Sequence, residues 1–170
     1  MFLSRGKLGL ASLLLLSVLL LTVSPSQARV ITENFDNGQF NPDLFSIDIK
    51  GTGPSAAVVT GHLEITLPSN STIDPSGAYG CDLYTKFGLT GDYEVQIDFN
   101  LLTWPTLNGA AAIRSNNCEV SRRNFGTEVY CVHFSNGVEF RVNTSDTKGT
   151  LMLKKTGNKI EAFYRKGADW

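Results

Sequence analysis

The most regular alternation of apolar and polar residues runs over 93–101. There Tyr93, Val95, Ile97, Phe99 and Leu101 oppose Glu94, Gln96, Asp98 and Asn100. A period of two over this length predicts a strand with one buried and one solvated face. The same period returns in 149–170, where Leu151 and Leu153 precede a Thr156-Gly157-Asn158 turn and Ile160, Ala162 and Tyr164 follow it. That is the pattern of a β-hairpin. A Gly167-Ala168-Asp169 turn then leads to Trp170, which reads as the start of a further element. On that reading the closing hairpin is an exposed, marginally stable edge.

Earlier segments repeat the motif with shorter runs. Residues 30–35 predict a first strand, closed by an Asp36-Asn37-Gly38 turn. Phe45, Ile47 and Ile49 alternate with Ser46, Asp48 and Lys50, and 56–59 with 63–67 form a hairpin about Thr60-Gly61. Asp74-Pro75-Ser76-Gly77 is a type I turn. Further strands are predicted over 79–87, 109–114, 118–124, 128–134 and 138–142. Many short strands between Gly, Asn and Asp turns, with no helical period after residue 28, predict an all-β, two-sheet antiparallel jelly-roll sandwich.

Composition adds a compartment. Arg5 and Lys7 precede an apolar run over 8–23, and Ser26-Gln27-Ala28 offers small residues to a signal peptidase. The run is shorter than the ~20 residues of a membrane span. A signal peptide over 1–28 and one exported domain over 29–170 are therefore expected, secreted, periplasmic or at the cell surface. Two of the 15 basic residues and none of the 16 acidic ones lie in 1–28, so the remainder has a net charge of −3. That balance gives no footprint for nucleic acid or an anionic membrane. Three cysteines, Cys81, Cys118 and Cys131, in an oxidising compartment predict one disulfide and one free thiol, with the pairing open.

Three stretches resemble the concanavalin A-like lectin/glucanase superfamily, and within it secreted bacterial modules of unknown function. They are ENFDNGQFNPDLFSI with VVTGHLEITLP, GDYEVQIDFNL after the Phe87-Gly88-Leu89-Thr90-Gly91 turn, and the closing hairpin through Tyr164, Arg165, Gly167 and Trp170. The resemblance spans nearly all of 29–170. It implies a concanavalin A-like sandwich and, as a class, glycan recognition or glycan hydrolysis. In such domains the Trp-containing turn leads to one or two more strands, so the chain reads as lacking its last strands.

The glucanases of that superfamily place two glutamates about an aspartate on one strand, and a retaining pair needs its carboxyls ~5–5.5 Å apart. The nearest match here is Glu94-Val95-Gln96-Ile97-Asp98. Its carboxylates share a face, but glutamine stands where the motif has aspartate, so the stretch reads as a solvated strand face and no catalytic residue is assigned. His62 and His133 read as structural. No G-x-S-x-G, H-E-x-x-H or phosphate loop occurs. Asp36 and Asp43 offer oxygen ligands for Ca2+, which relatives in the superfamily bind, although their spacing is that of turns.

A sugar site needs an aromatic platform and polar groups for hydroxyls. A three-residue Asn124-Phe125-Gly126 loop between Arg123 and Thr127 sets Val120, Tyr130 and Val132 on a core face. Glu119, Ser121, Arg123, Cys131 and His133 then share the other face. With Arg114 and Trp104 nearby in sequence, Trp104, Arg114, Glu119, Ser121, Arg123 and His133 are the candidate ligand-binding residues. The same register puts Cys118 and Cys131 on opposite faces, which a disulfide cannot span. A two-residue Phe125-Gly126 turn would bring them to one face. The expected function is an exported, non-catalytic module that recognises a poly- or oligosaccharide or another extracellular partner. A glucanase-like hydrolase and a structural surface protein without a small ligand are the alternatives.

Overall fold

A computed structural model describes residues 29–59, 61–103, 109–115, 117–165 and 170. The expected signal peptide lies outside them. The described residues hold eleven strands and no helix, and every pairing is antiparallel. They form four small sheets, not one closed sandwich. The chain divides into two compact units, 1–86 and 87–170.

The first unit contains β1 (Phe45–Lys50), β2 (Ser55–Val59), β3 (His62–Thr66) and β4 (Gly80–Thr85). β1 pairs with β4, and β2 with β3. Asp48 and Asp82 lie directly opposite one another, a repulsive pair. Lys50 answers it with an ammonium 2.6 Å from Asp82, and the Tyr84 hydroxyl donates to the same carboxylate at 3.0 Å. Gly51 is obligatory: it sits at φ 79°, and a Cβ there would meet the Thr72 carbonyl at 2.2 Å. The Asp74 turn forms as expected, with Gly77 donating to the Asp74 carbonyl and the Asp74 side chain accepting from Ser76 and Ala78.

The strand expected over 30–35 is absent. Glu33 accepts from the backbone N–H groups of Phe35 and Asn41, and Phe35 takes a positive φ of 57°. A side chain that captures backbone donors offers the chain an alternative to a ladder, and here the loop wins.

The second unit contains β5 (Tyr93–Asn100), β6 (Gly109–Arg114), β7 (Cys118–Asn124), β8 (Glu128–Phe134), β9 (Glu139–Asn143), β10 (Lys148–Thr156) and β11 (Lys159–Arg165). β10 lies between β11 and β5, and β6 to β9 form a four-stranded meander. The apolar parity of β5, β10 and β11 points Val95, Ile97, Leu151, Leu153, Ala162 and Tyr164 at Ile113, Cys118, Val120 and Tyr130 of the meander. Leu151, Leu153 and Val120 have essentially no exposed surface. Burying each is worth about 2 kcal/mol. The rings of Tyr130 and Tyr164 stack at 4.1 Å in this core.

Four sequence expectations fail in this unit. Thr156 pairs with Lys159, so the closing turn is the two residues Gly157 and Asn158. Only the glycine has positive φ, the type II′ pattern that suits strand twist. That register is what brings Leu153 opposite Ala162. The hairpin is also no loose edge throughout, because β10 is paired on both sides and forms the centre of the core. Between β7 and β8, Asn124 pairs with Glu128, so the loop is Phe125-Gly126-Thr127, one residue later than expected. The face parity is unchanged by that slip. Cys118 therefore faces the core while Cys131 lies on the other side, and all three cysteines are free thiols instead of one disulfide and one thiol.

Candidate functional site

The meander brings the sequence-derived surface together. Arg114, Glu119, His133 and Glu139 form one row across its four strands, and Ala112, Ser121, Cys131 and Arg141 form the next. Arg123 follows beside Ala110. All lie on the side facing away from the core cluster. Arg114, Glu119, Ser121, Arg123 and His133 therefore share one face, as parity requires. Trp104 lies outside the described residues.

The acceptors on this face are already in use. Arg114 binds one oxygen of Glu119 at 2.6 Å, and Arg123 binds the other. Burial raises the Glu119 pKa, but the hydrogen bonds from Arg114 and Arg123 outweigh it and hold the carboxyl below its ordinary range. Ser121 is fully buried and accepts from Arg123 Nε at 3.0 Å. Neither Glu119 nor Ser121 is presented to a sugar hydroxyl. What reaches the surface is cationic: the Arg114 and Arg141 side chains are 67% and 51% exposed. Arg141 was not among the sequence candidates, although the Ser135-Asn136-Gly137 turn puts it in parity with His133.

A second feature has no counterpart among the sequence candidates. On the outer face of the three-stranded sheet, Asp98, Thr150 and Arg165 form a row. The Thr150 hydroxyl donates to Asp98 Oδ1 at 2.6 Å and accepts from Arg165 Nη2 at 3.0 Å. These residues, with Asn100, Asp146 and Lys148, line a cleft of about 670 Å3. Its rim is fixed from below. Tyr130 Oη donates to Asp146 Oδ2 at 3.1 Å, and buried Arg122 donates from Nε to the Asp146 carbonyl at 2.9 Å. Arg122 also pairs with Glu128. The row was readable from the two strand pairings. The contribution of Asp146 was not, since it comes from a loop without a period.

The remaining candidates stay apart. Asp36 accepts from the Asn34 amide, and the backbone N–H of Asp43 donates to Asn41 Oδ1. Neither joins a set of three His, Cys, Asp or Glu placed to hold a metal, and no such set occurs among the described residues. Glu94 accepts from Gln96 at 2.6 Å and lies 4.0 Å from Lys154. His62 opens β3, exposed, 3.9 Å from Glu64. Burial pushes the Cys81, Cys118 and Cys131 thiols up, away from the reactive thiolate. A smaller cleft of about 360 Å3 lies in the loop around Glu33, Asn37 and Asn41 of the first unit. No protein-family model, curated protein or solved structure matches the chain.

Proposed function

We propose that the chain is an exported, non-catalytic glycan-recognition module with a concanavalin A-like architecture, and that the sugar occupies the Asp98–Asp146–Arg165 cleft. The observation that supports this is the composition of the cleft. Vicinal hydroxyls each donate and accept, so they are matched by planar acceptors and planar donors set side by side. Asp98 and Asp146 supply carboxylate oxygens, Asn100 an amide, and Arg165 and Lys148 N–H donors. The volume falls within the range of small-ligand sites, ~300–1,000 Å3. Anchoring of Asp146 through Tyr130 and Arg122 keeps the acceptor in place before ligand arrives, which lowers the ordering cost of binding.

The hydrolase alternative lacks such support. Asp98 already accepts from Thr150, and Glu94 is engaged by Gln96 and Lys154. The test is a glycan array followed by calorimetry on the best oligosaccharide. Saturable binding is expected, weakened about 10-fold or more in both Asp98→Ala and Asn100→Ala, as loss of a hydrogen bond to an ordered polar group predicts. Absence of binding to every glycan would leave the structural-protein reading. Release of reducing ends would restore the hydrolase.

A further inference from the structure

The outer face of the β6–β9 meander carries a charge imbalance that the sugar cleft does not use. Arg114, Arg123 and Arg141 stand against two carboxylates, Glu119 and Glu139. Glu119 is shared by Arg114 and Arg123, so one carboxylate faces two cations and one positive charge is left over. The surplus is local, since the chain as a whole has a net charge of −1.

Two of the three cations are also held in place. The guanidinium of Arg123 lies 5.3 Å from the centroid of the Phe125 ring, and that of Arg141 lies 4.4 Å from it. Stacking on an aromatic ring fixes a planar fork that is otherwise mobile, and so reduces the entropy lost when it binds. Arg123 spends Nε on Ser121 and Nη2 on Glu119, while Arg141 spends Nε on Glu139. The floor between them is Ser121 and Cys131, both without exposed surface. On the flank, Ala110 and Ala112 of β6 are exposed and too short to cover the arginines.

We infer that this face is an oxyanion site, in which Arg123 and Arg141, docked on Phe125, grip a carboxylate or sulfate group. Paired guanidiniums suit such groups because each can give two parallel N–H bonds to a planar or tetrahedral anion. Glu139 is the internal competitor: it holds Arg141 until an external anion replaces it. The site lies on a different sheet from the cleft and stands whether or not the cleft binds a sugar. The anion can be free or can be borne by an acidic polysaccharide, and the chemistry of recognition is the same for both.

The experiment is calorimetric titration of the full chain at low ionic strength with three probes: inorganic sulfate, an oligogalacturonate, and a neutral galactose oligomer of the same length. Saturable binding of sulfate, of the uronate or of both is expected, falling as salt is added. Sulfate alone identifies a free anion, and preference for the uronate identifies an acidic polymer. Arg141→Gln, at an exposed position, should weaken binding about 10-fold or more. Arg141→Lys should not restore it, because an ammonium cannot reproduce the fork. Glu139→Gln should tighten it several-fold. Asp98→Ala, in the separate cleft, should leave sulfate binding unchanged. No saturable binding of either anion, binding unaffected by Arg141→Gln, or sulfate binding lost in Asp98→Ala would overturn the assignment.

Discussion

Arg122 has no exposed surface, and the contacts around its charge decide what that placement costs. Its guanidinium reaches Glu128, the Asp146 carbonyl and the Arg123 carbonyl. A buried ion pair adds little over an apolar replacement, but stranding one member is expensive. The two partners should therefore respond unequally. Glu128→Ala removes this carboxylate while the two carbonyl acceptors stay in place, and should cost on the order of 1–3 kcal/mol, the worth of a hydrogen bond to a charged group. Arg122→Met removes the buried charge itself and leaves Glu128, 42% exposed, able to turn to water; it should cost less. Urea midpoints of the two variants check the order. Tyr130 gives a second expectation at this scale. Burial first, and then the Asp146 hydrogen bond, push its hydroxyl up to about 12 from 10.0. The unfolded chain releases that proton first, so the contribution is complete below pH 10 and is lost as pH rises toward 12. Stability measured in urea at pH 8, 10 and 11 should fall along this series, and Tyr130→Phe should flatten the fall.

Among the elements, β10 is the strand on which the second unit depends. It is paired along most of its length to β5 and to β11, and its Leu151, Met152 and Leu153 are all buried. Amide exchange should find β10 slowest. β5 and β11, each paired only with β10 among the described strands, should exchange faster on their outward N–H groups, and β2 and β3 faster still. Exchange of β10 as quick as that of β2 would contradict the packing. Most strands were legible in the sequence because alternation is a local property of a half-buried sheet. The failures have local causes too. At 30–35 the β-branched residues Val30, Ile31 and Thr32 favour a strand, but Glu33 binds the backbone and no ladder forms. At the β7–β8 turn the parity holds and only the loop position differs, by one residue; at the closing turn the apolar faces hold, but a three-residue loop would set Leu153 opposite Glu161, and the two-residue Gly157-Asn158 turn sets it opposite Ala162.

For the molecule as a whole, burial is unevenly divided. Every buried member of the apolar core cluster belongs to the second unit, while Ile49, Ile65, Leu83 and Tyr84 of the first are exposed by 40% or more. Two-stranded sheets have too few faces to enclose apolar side chains on their own. The period-two pattern, identical in both halves, gave no warning of that difference, because it marks which face is apolar and says nothing about what covers it. The candidate surfaces show the same limit. Arg114, Glu119, Ser121, Arg123 and His133 were placed together correctly by parity, yet the capture of Glu119 and Ser121 by arginines depends on side-chain reach. The cleft joins Asp98, Asp146 and Arg165 from three separate parts of the chain, and no single stretch announces it. The outward faces of the two sheets in this unit consequently differ in chemistry, one mixed in charge and hydroxyl-rich, the other arginine-rich.

β7 is buried from Cys118 through Arg122 and again at Asn124. Most sheet strands keep one tolerant face, where sequence drifts freely and leaves the apolar positions standing out. β7 has no such face: its inward side is occupied by Val120 and the Arg122 charge, and its outward side by Glu119 and Ser121 beneath the arginines. Neutral drift is thereby closed off along a whole strand. Change in this segment must come in compensated pairs, Glu119 with Arg114 or Arg123, and Arg122 with Glu128, so that β7 would diverge in correlated steps while β6 and β9, the two outer strands of the meander, diverge residue by residue.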